Sequence, residues 1–117
     1  MKKIAVMTGG GDCPGLNAVI RAVVQSGVSY DFETLGIHNG WQGLIEGDLE
    51  PLTGVSVSGI TSLGGTILGT SRIDPLKKRG DVEKIRNTIK TYGIDALVVI
   101  GGNGTLSAAY EIGRAHV

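Results

Sequence analysis

Thr8-Gly9-Gly10-Gly11-Asp12-Cys13-Pro14-Gly15-Leu16-Asn17 lies between a continuous, mostly apolar run, Lys3 to Thr8, and a segment with helical spacing, Asn17 to Ser26. The apolar run reads as a strand buried on both faces. Beyond the glycines, Ala18, Val19, Ala22 and Val23 recur with Arg21 and Gln25 between them, the spacing of a helix packed on a sheet. Strand, glycine turn and helix in this order open an α/β unit. The same order returns near the other end. Asp95 to Ile100 reads as a strand, Ile100-Gly101-Gly102-Asn103-Gly104-Thr105 as the turn, and Thr105 to Ala115 as the helix.

Between these two units, Glu33 to His38 reads as a second short strand that ends at Asn39-Gly40, and Trp41 to Glu46 as a short amphipathic turn or helix. Leu49 to Gly59 stays ambiguous, because Pro51 and Gly54 interrupt an alternation at Val55 and Val57. Asp81 to Tyr92 is amphipathic, with Val82, Ile85, Ile89 and Tyr92 on one face, and Gly93 supplies its C-terminal stop. Alternating strands and helices predict a mostly parallel sheet with right-handed crossovers, in a three-layer Rossmann-like α/β domain. Ligands of such sheets sit beyond the carboxyl ends of the strands, where both glycine turns open.

Composition narrows the function. The chain has 117 residues, enough for one domain with a modest core. Eleven basic residues balance eleven acidic ones, so no global field favours nucleic acid or an anionic membrane. Aromatic residues make up 4%, which argues against base-stacking surfaces. The single cysteine, Cys13, forms neither an internal disulfide nor a multi-cysteine metal site. The first strand is too short for a signal segment or a membrane span, so a cytoplasmic protein is expected. The 20 glycines are clustered between periodic segments rather than diluting them, and no internal repeat or linker is visible.

A glycine turn between strand and helix brings bare N–H groups up to an anion, and the helix dipole adds to their pull. A further cluster, Gly64-Gly65-Thr66-Ile67-Leu68-Gly69-Thr70-Ser71-Arg72, ends in a guanidinium whose fork matches phosphate oxygens. Together the three clusters describe a polyphosphate site. It is not a Walker loop, since G-x-x-x-x-G-K-[ST] occurs nowhere, nor a dinucleotide fingerprint, since Pro14 stands in place of the last glycine. Lys77-Lys78-Arg79 reads as a solvated lead-in to a helix. Asp12 suits either a helix cap or a ligand contact, and His38 and His116 lack metal-ligand spacing.

Taken in order, Gly10 to Asn17, Gly64 to Arg72 and Gly101 to Thr105 resemble the successive signatures of the 6-phosphofructokinase family, and the resemblance covers the whole chain. It implies that residues 1–117 are the amino-terminal part of a donor-binding domain, with the sugar-binding domain absent from this chain. The activity implied is transfer of the ATP γ-phosphate, with Mg²⁺, to the 1-hydroxyl of fructose 6-phosphate. By the same resemblance Gly11 and Arg72 contact the transferred phosphoryl group. Ile73, Gly102, Asn103, Gly104 and Thr105 line the nucleotide site, with Trp41 near the adenine. The family's catalytic base lies in a T-I-D-N-D motif that these residues do not include, so turnover by this piece alone is not expected. A homo-oligomer, tetramer or dimer, is implied for the full-length enzyme.

The chain departs from the family pattern at two places. The third motif usually reads G-G-D-G-[ST], its aspartate assisting Mg²⁺, and Asn103 offers only a neutral carbonyl there. The next residue, Gly104, matches ATP-using members, whereas pyrophosphate-using members usually carry aspartate. The second place is the family's effector site, for which Arg21, Gln25, Gly54 and Ser58 are the corresponding residues; Gln25 and Gly54 replace arginines of well-regulated members. Reduced or absent allostery is expected. A pyrophosphate-dependent enzyme and a non-catalytic nucleotide-binding module are the alternatives. Lipid and NAD kinases share a loop like Gly101 to Thr105 but neither of the other two clusters.

Overall fold

The first apolar run is buried as a strand should be when both its faces are covered: Ala5, Val6 and Met7 are wholly inaccessible. They belong to β1 (Lys2–Thr8) in the computed structural model, which describes residues 2–9, 15–60, 63, 65–71 and 73–116. The chain continues through α1 (Leu16–Tyr30), β2 (Phe32–Ile37), α2 (Trp41–Glu46), β3 (Leu49–Leu52), α3 (Asp81–Tyr92), β4 (Ala96–Ile100) and α4 (Asn103–His116). The four strands form one sheet in the order β3-β2-β1-β4. β1 runs parallel to β2, with Ala5 opposite Leu35, and parallel to β4, with Val6 opposite Val98.

β3 is the exception. It runs antiparallel to β2, with Pro51 opposite Leu35. The connection through α2 is shorter than a parallel crossover needs, so the chain simply turns back. Pro51 has no N–H to give, and the outer strand of a sheet is where that is tolerated. The ambiguous stretch Leu49 to Gly59 thus resolves into a four-residue edge strand followed by turns. The sheet is mostly parallel, as expected, with this one antiparallel edge.

Side chains alternate between two apolar layers. Ala5, Met7, Leu35 and Ile37 face Trp41 and Leu44 of α2, Ile85 of α3, and Ala108 and Ile112 of α4. On the other face Val6 packs with Ile20 and Val24 of α1 and with Leu52, Val57, Ile60 and Leu68. The three-layer arrangement expected from the alternation is present. Helix boundaries moved more than helix identities. α1 runs four residues past Ser26, because Gly27 is a close approach and not a stop: a Cβ there would lie 2.9 Å from the Phe32 carbonyl oxygen. α3 has the bounds expected, closed by Gly93 at φ 66°, and Tyr92 donates from its hydroxyl to the Gly47 carbonyl at 2.9 Å. α4 starts two residues earlier than its spacing suggests, at Asn103. Among the described residues, no helix is long and apolar enough to cross a membrane.

Candidate functional site

Because β1, β2 and β4 are parallel, Thr8, Ile37 and Ile100 end on one edge of the sheet. The turns that follow them meet there. The Gly9 N–H donates to the Ile100 carbonyl at 2.8 Å, joining the first glycine cluster to the third. The contact is close enough to exclude side chains: a Cβ on Gly9 would come within 2.6 Å of the Thr105 side chain, and one on Gly101 within 2.9 Å of the Gly9 carbonyl oxygen. The described part of the second cluster reaches the same edge. The Asn39 N–H donates to the Leu68 carbonyl at 2.8 Å, and a Cβ on Gly40 would lie 3.7 Å from the Ser71 nitrogen. All three clusters read from the sequence therefore converge, as far as their described residues go.

The glycines here are of two kinds. Gly9 and Gly101 are required by packing. Gly102 and Gly104, exposed at the start of α4, are not: a Cβ on either meets nothing within 4 Å, and neither has positive φ. Among the described residues, neither packing nor backbone conformation requires glycine at these two positions. The first turn of α4 contains no acidic residue of its own, so nothing within the helix offsets the positive end of its dipole. That arrangement is suited to an anion held by backbone.

The remaining candidate residues fall as follows. Gly11 and Arg72 lie outside the described residues, as do Asp12 and Cys13. Ile73 is 40% exposed, Thr105 is buried against Gly9 and Gly101, and Asn103 is exposed beside Gly102 and Gly104. Trp41 opens α2. At 3% exposure it belongs to the core, lining a cavity of about 250 Å³ with Ile89, Leu97, Ala109 and Ile112. The indole packs in the apolar layer between α2, α3, α4 and the sheet, beside that cavity. Arg21 is half-buried and Gln25 exposed on α1, while Gly54 and Ser58 are exposed in the turns whose Val57 packs on Ile20 and Val24. The effector candidates thus come from two elements that share one apolar cluster.

Sequence reasoning gave Thr8, Asn17, Asn39 and Thr66 no role, yet they hold the edge together. Thr8 donates to the Gly69 carbonyl at 2.8 Å, and Asn17 accepts from the Ile67 N–H at 2.7 Å. The available signal was a hydroxyl closing an otherwise apolar strand and an amide among the aliphatics of a helix.

The family profile of phosphofructokinase matches residues 3–116, nearly the entire chain. The chain belongs to the phosphofructokinase family. Among curated phosphofructokinase relatives, a pyrophosphate–fructose 6-phosphate 1-phosphotransferase of Streptomyces coelicolor is 51% identical over 111 residues, which is 94% of this chain and 32% of the relative. An ATP-dependent 6-phosphofructokinase of Thermotoga petrophila is 49% identical over 116 residues, 99% of this chain and 36% of the relative. The chain therefore spans about a third of the length of the curated relatives it matches. Among solved structures, the phosphofructokinase of Pichia pastoris superposes with a TM-score of 0.92 at 40% identity, over 97% of this chain and 12% of that one. A pyrophosphate-dependent phosphofructokinase from Marinobacter aquaeolei, at 16% identity and a TM-score of 0.85 over 98% of this chain and 30% of that one, shares the fold.

Proposed function

We propose that this chain is the amino-terminal part of the phosphoryl-donor domain of a 6-phosphofructokinase, which transfers the ATP γ-phosphate to the 1-hydroxyl of fructose 6-phosphate. The supporting observation is the start of α4, where no described residue packs against the Cα of Gly102 or Gly104 closely enough to require glycine. Their N–H groups would hold the donor phosphates and fix their orientation, while Arg72 would neutralise charge on the group being moved. Phosphoryl transfer asks mainly for positioning and charge neutralisation, and these residues supply both.

Mg²⁺ belongs to the same reading. Among the described residues no three His, Cys, Asp or Glu side chains gather around one point, and Asn103 contributes a single neutral carbonyl. Of these residues Asn103 would meet the ion, and its neutral carbonyl would hold a hard cation more weakly than a carboxylate would. When bound the ion screens the negative charge of the phosphates. No T-I-D-N-D motif occurs in these 117 residues, so none of them is assigned the deprotonation of the sugar hydroxyl. A cytoplasmic homo-oligomer, dimer or tetramer, completes the reading.

The decisive assay is formation of fructose 1,6-bisphosphate by the polypeptide that the reading frame encodes, with Mg-ATP and separately with Mg-pyrophosphate. Turnover with ATP is expected. Turnover with pyrophosphate alone would transfer the reading to the pyrophosphate-dependent enzymes, among which a 51% identical relative stands. A folded protein silent with both would be a non-catalytic nucleotide-binding module.

Regulation gives a separate expectation. With Gln25 and Gly54 where an anionic effector would need cations, ADP and phosphoenolpyruvate should leave the fructose 6-phosphate saturation curve hyperbolic. A clear sigmoidal shift in an effector titration would refute this.

A further inference from the structure

Residues 65–71 have no regular secondary structure, yet their path over the sheet edge is closely specified by two buried polar side chains from other elements. Thr8, at the end of β1, is 0% exposed, and Asn17, in the first turn of α1, is 2% exposed. Asn17 uses both ends of its amide: Nδ2 donates to the Leu63 carbonyl at 3.2 Å and Oδ1 accepts from the Ile67 N–H at 2.7 Å. Thr8 donates to the Gly69 carbonyl at 2.8 Å and lies 3.0 Å from the Thr66 hydroxyl.

The direction of that last bond follows from counting protons. A hydroxyl has one, and Thr8 gives its own to Gly69, so Thr66 must be the donor to Thr8. Thr66 in turn accepts from the Leu68 N–H at 3.2 Å. The chain therefore runs from Leu68 N–H to Thr66 to Thr8 to the Gly69 carbonyl, with each hydroxyl giving once and accepting once. A partly buried network in which both hydroxyls are satisfied favours one arrangement of the loop it holds.

We propose that Thr8 and Asn17 are positioning residues for phosphoryl transfer, acting by clamping residues 65–71 across the sheet edge beside Gly9 and Gly40. The proposal rests on the donor-site reading above. It assigns these side chains no contact with substrate: their effect passes through the loop, whose next residue is Arg72. A loop that must present a charged group to a moving phosphoryl has to be held to within a fraction of an ångström, since misplacement by about 1 Å can cost about 100-fold in rate.

The test compares Thr8→Val, Thr8→Ser and Asn17→Ala in the polypeptide that the reading frame encodes. Thr8→Val keeps the shape of the side chain but removes the hydroxyl, stranding the Gly69 carbonyl and the Thr66 proton. It should lower kcat/KM for the donor about 10- to 100-fold while leaving the Kd for fructose 6-phosphate unchanged. Asn17→Ala should act in the same sense, and Thr8→Ser should recover most of the loss. A lowered Tm with unchanged donor kinetics would mean the network serves stability alone and would overturn the proposal.

Amide hydrogen exchange at Ile67 and Leu68 reads the clamp without any turnover. Slow exchange in the wild type, fast in Thr8→Val and Asn17→Ala, and slow again in Thr8→Ser is expected. Fast exchange in the wild type would refute the clamp itself. Protected amides in a wild type inactive with both donors would count against the donor-site reading, and against the transfer role, while leaving the clamp as a property of the fold.

Discussion

Gly43→Ala should strongly destabilise this domain. Gly43 is buried in α2, and a Cβ built on it collides with the backbone carbonyl oxygen of His38 and stands 3.0 Å from Cγ2 of Ile37. A clash with a flexible side-chain tip is relieved by rotation, but here the obstacle is the main chain at the end of β2. The glycine is also held on its own account, its N–H donating to the Gly40 carbonyl at 3.1 Å and its carbonyl accepting from the Asp48 N–H at 2.8 Å. To make room, α2 would have to lift from the sheet and draw Trp41 and Leu44 out of the core. Overpacking of this kind costs about 3 kcal/mol, a large part of the 5–15 kcal/mol or so available to a domain. Gly54→Ala is the control, since its Cβ meets nothing within 4 Å and its φ is not positive. Urea denaturation followed by circular dichroism should show Gly54→Ala within about 0.5 kcal/mol of wild type and Gly43→Ala far below it. Equal midpoints would mean that α2 is only loosely seated on β2.

That contrast shows what the sequence makes legible. Helices and strands follow from periodicity, and α3 was read with its bounds intact because Val82, Ile85, Ile89 and Tyr92 mark its inner face and Gly93 its end. Glycine is harder, because one letter serves several purposes. Gly27 resembles a helix stop and is a packing contact with β2; Gly43 resembles a weak helix former and is a fitted piece of the core. Nothing local distinguishes them from Gly54. The direction of β3 was also hidden, since it depends on a connection too short to cross over, and Pro51 signals only that the strand is an edge. The surroundings of Trp41 are set by residues distant in sequence, such as Ile89 and Ile112, which no local pattern reveals. The convergence of the glycine clusters was legible because parallel strands must deliver their turns to a common edge. The bonds that tie those turns together were not, because Thr8 and Asn17 find their partners about 50 to 60 residues away.

Gly104→Asp should produce the opposite pattern to Gly43→Ala, intact folding with loss of ATP use. The position is exposed in the first turn of α4, with room for a side chain and no positive φ. A carboxylate at a helix N-terminus is electrostatically favourable by about 0.3–1 kcal/mol, and replacing glycine in a helix adds a comparable gain. The Tm of the variant should therefore equal or exceed that of the wild type. The donor sees something different. If the donor phosphates bind at the start of α4 as proposed, the same carboxylate would set a negative charge against them, a juxtaposition that costs several kcal/mol. About 3 kcal/mol corresponds to a loss of about 100-fold in kcat/KM for ATP. Gly104→Ala, which fills space without charge, should lose about 10-fold on the same scale, so the two variants separate crowding from repulsion. Raised stability together with lost donor use is what a position kept bare for a ligand predicts. Lost stability would make Gly104 one more packing glycine. ATP use within threefold of the wild type would move the donor away from the start of α4, and the proposed function would have to be rebuilt around a different part of the edge.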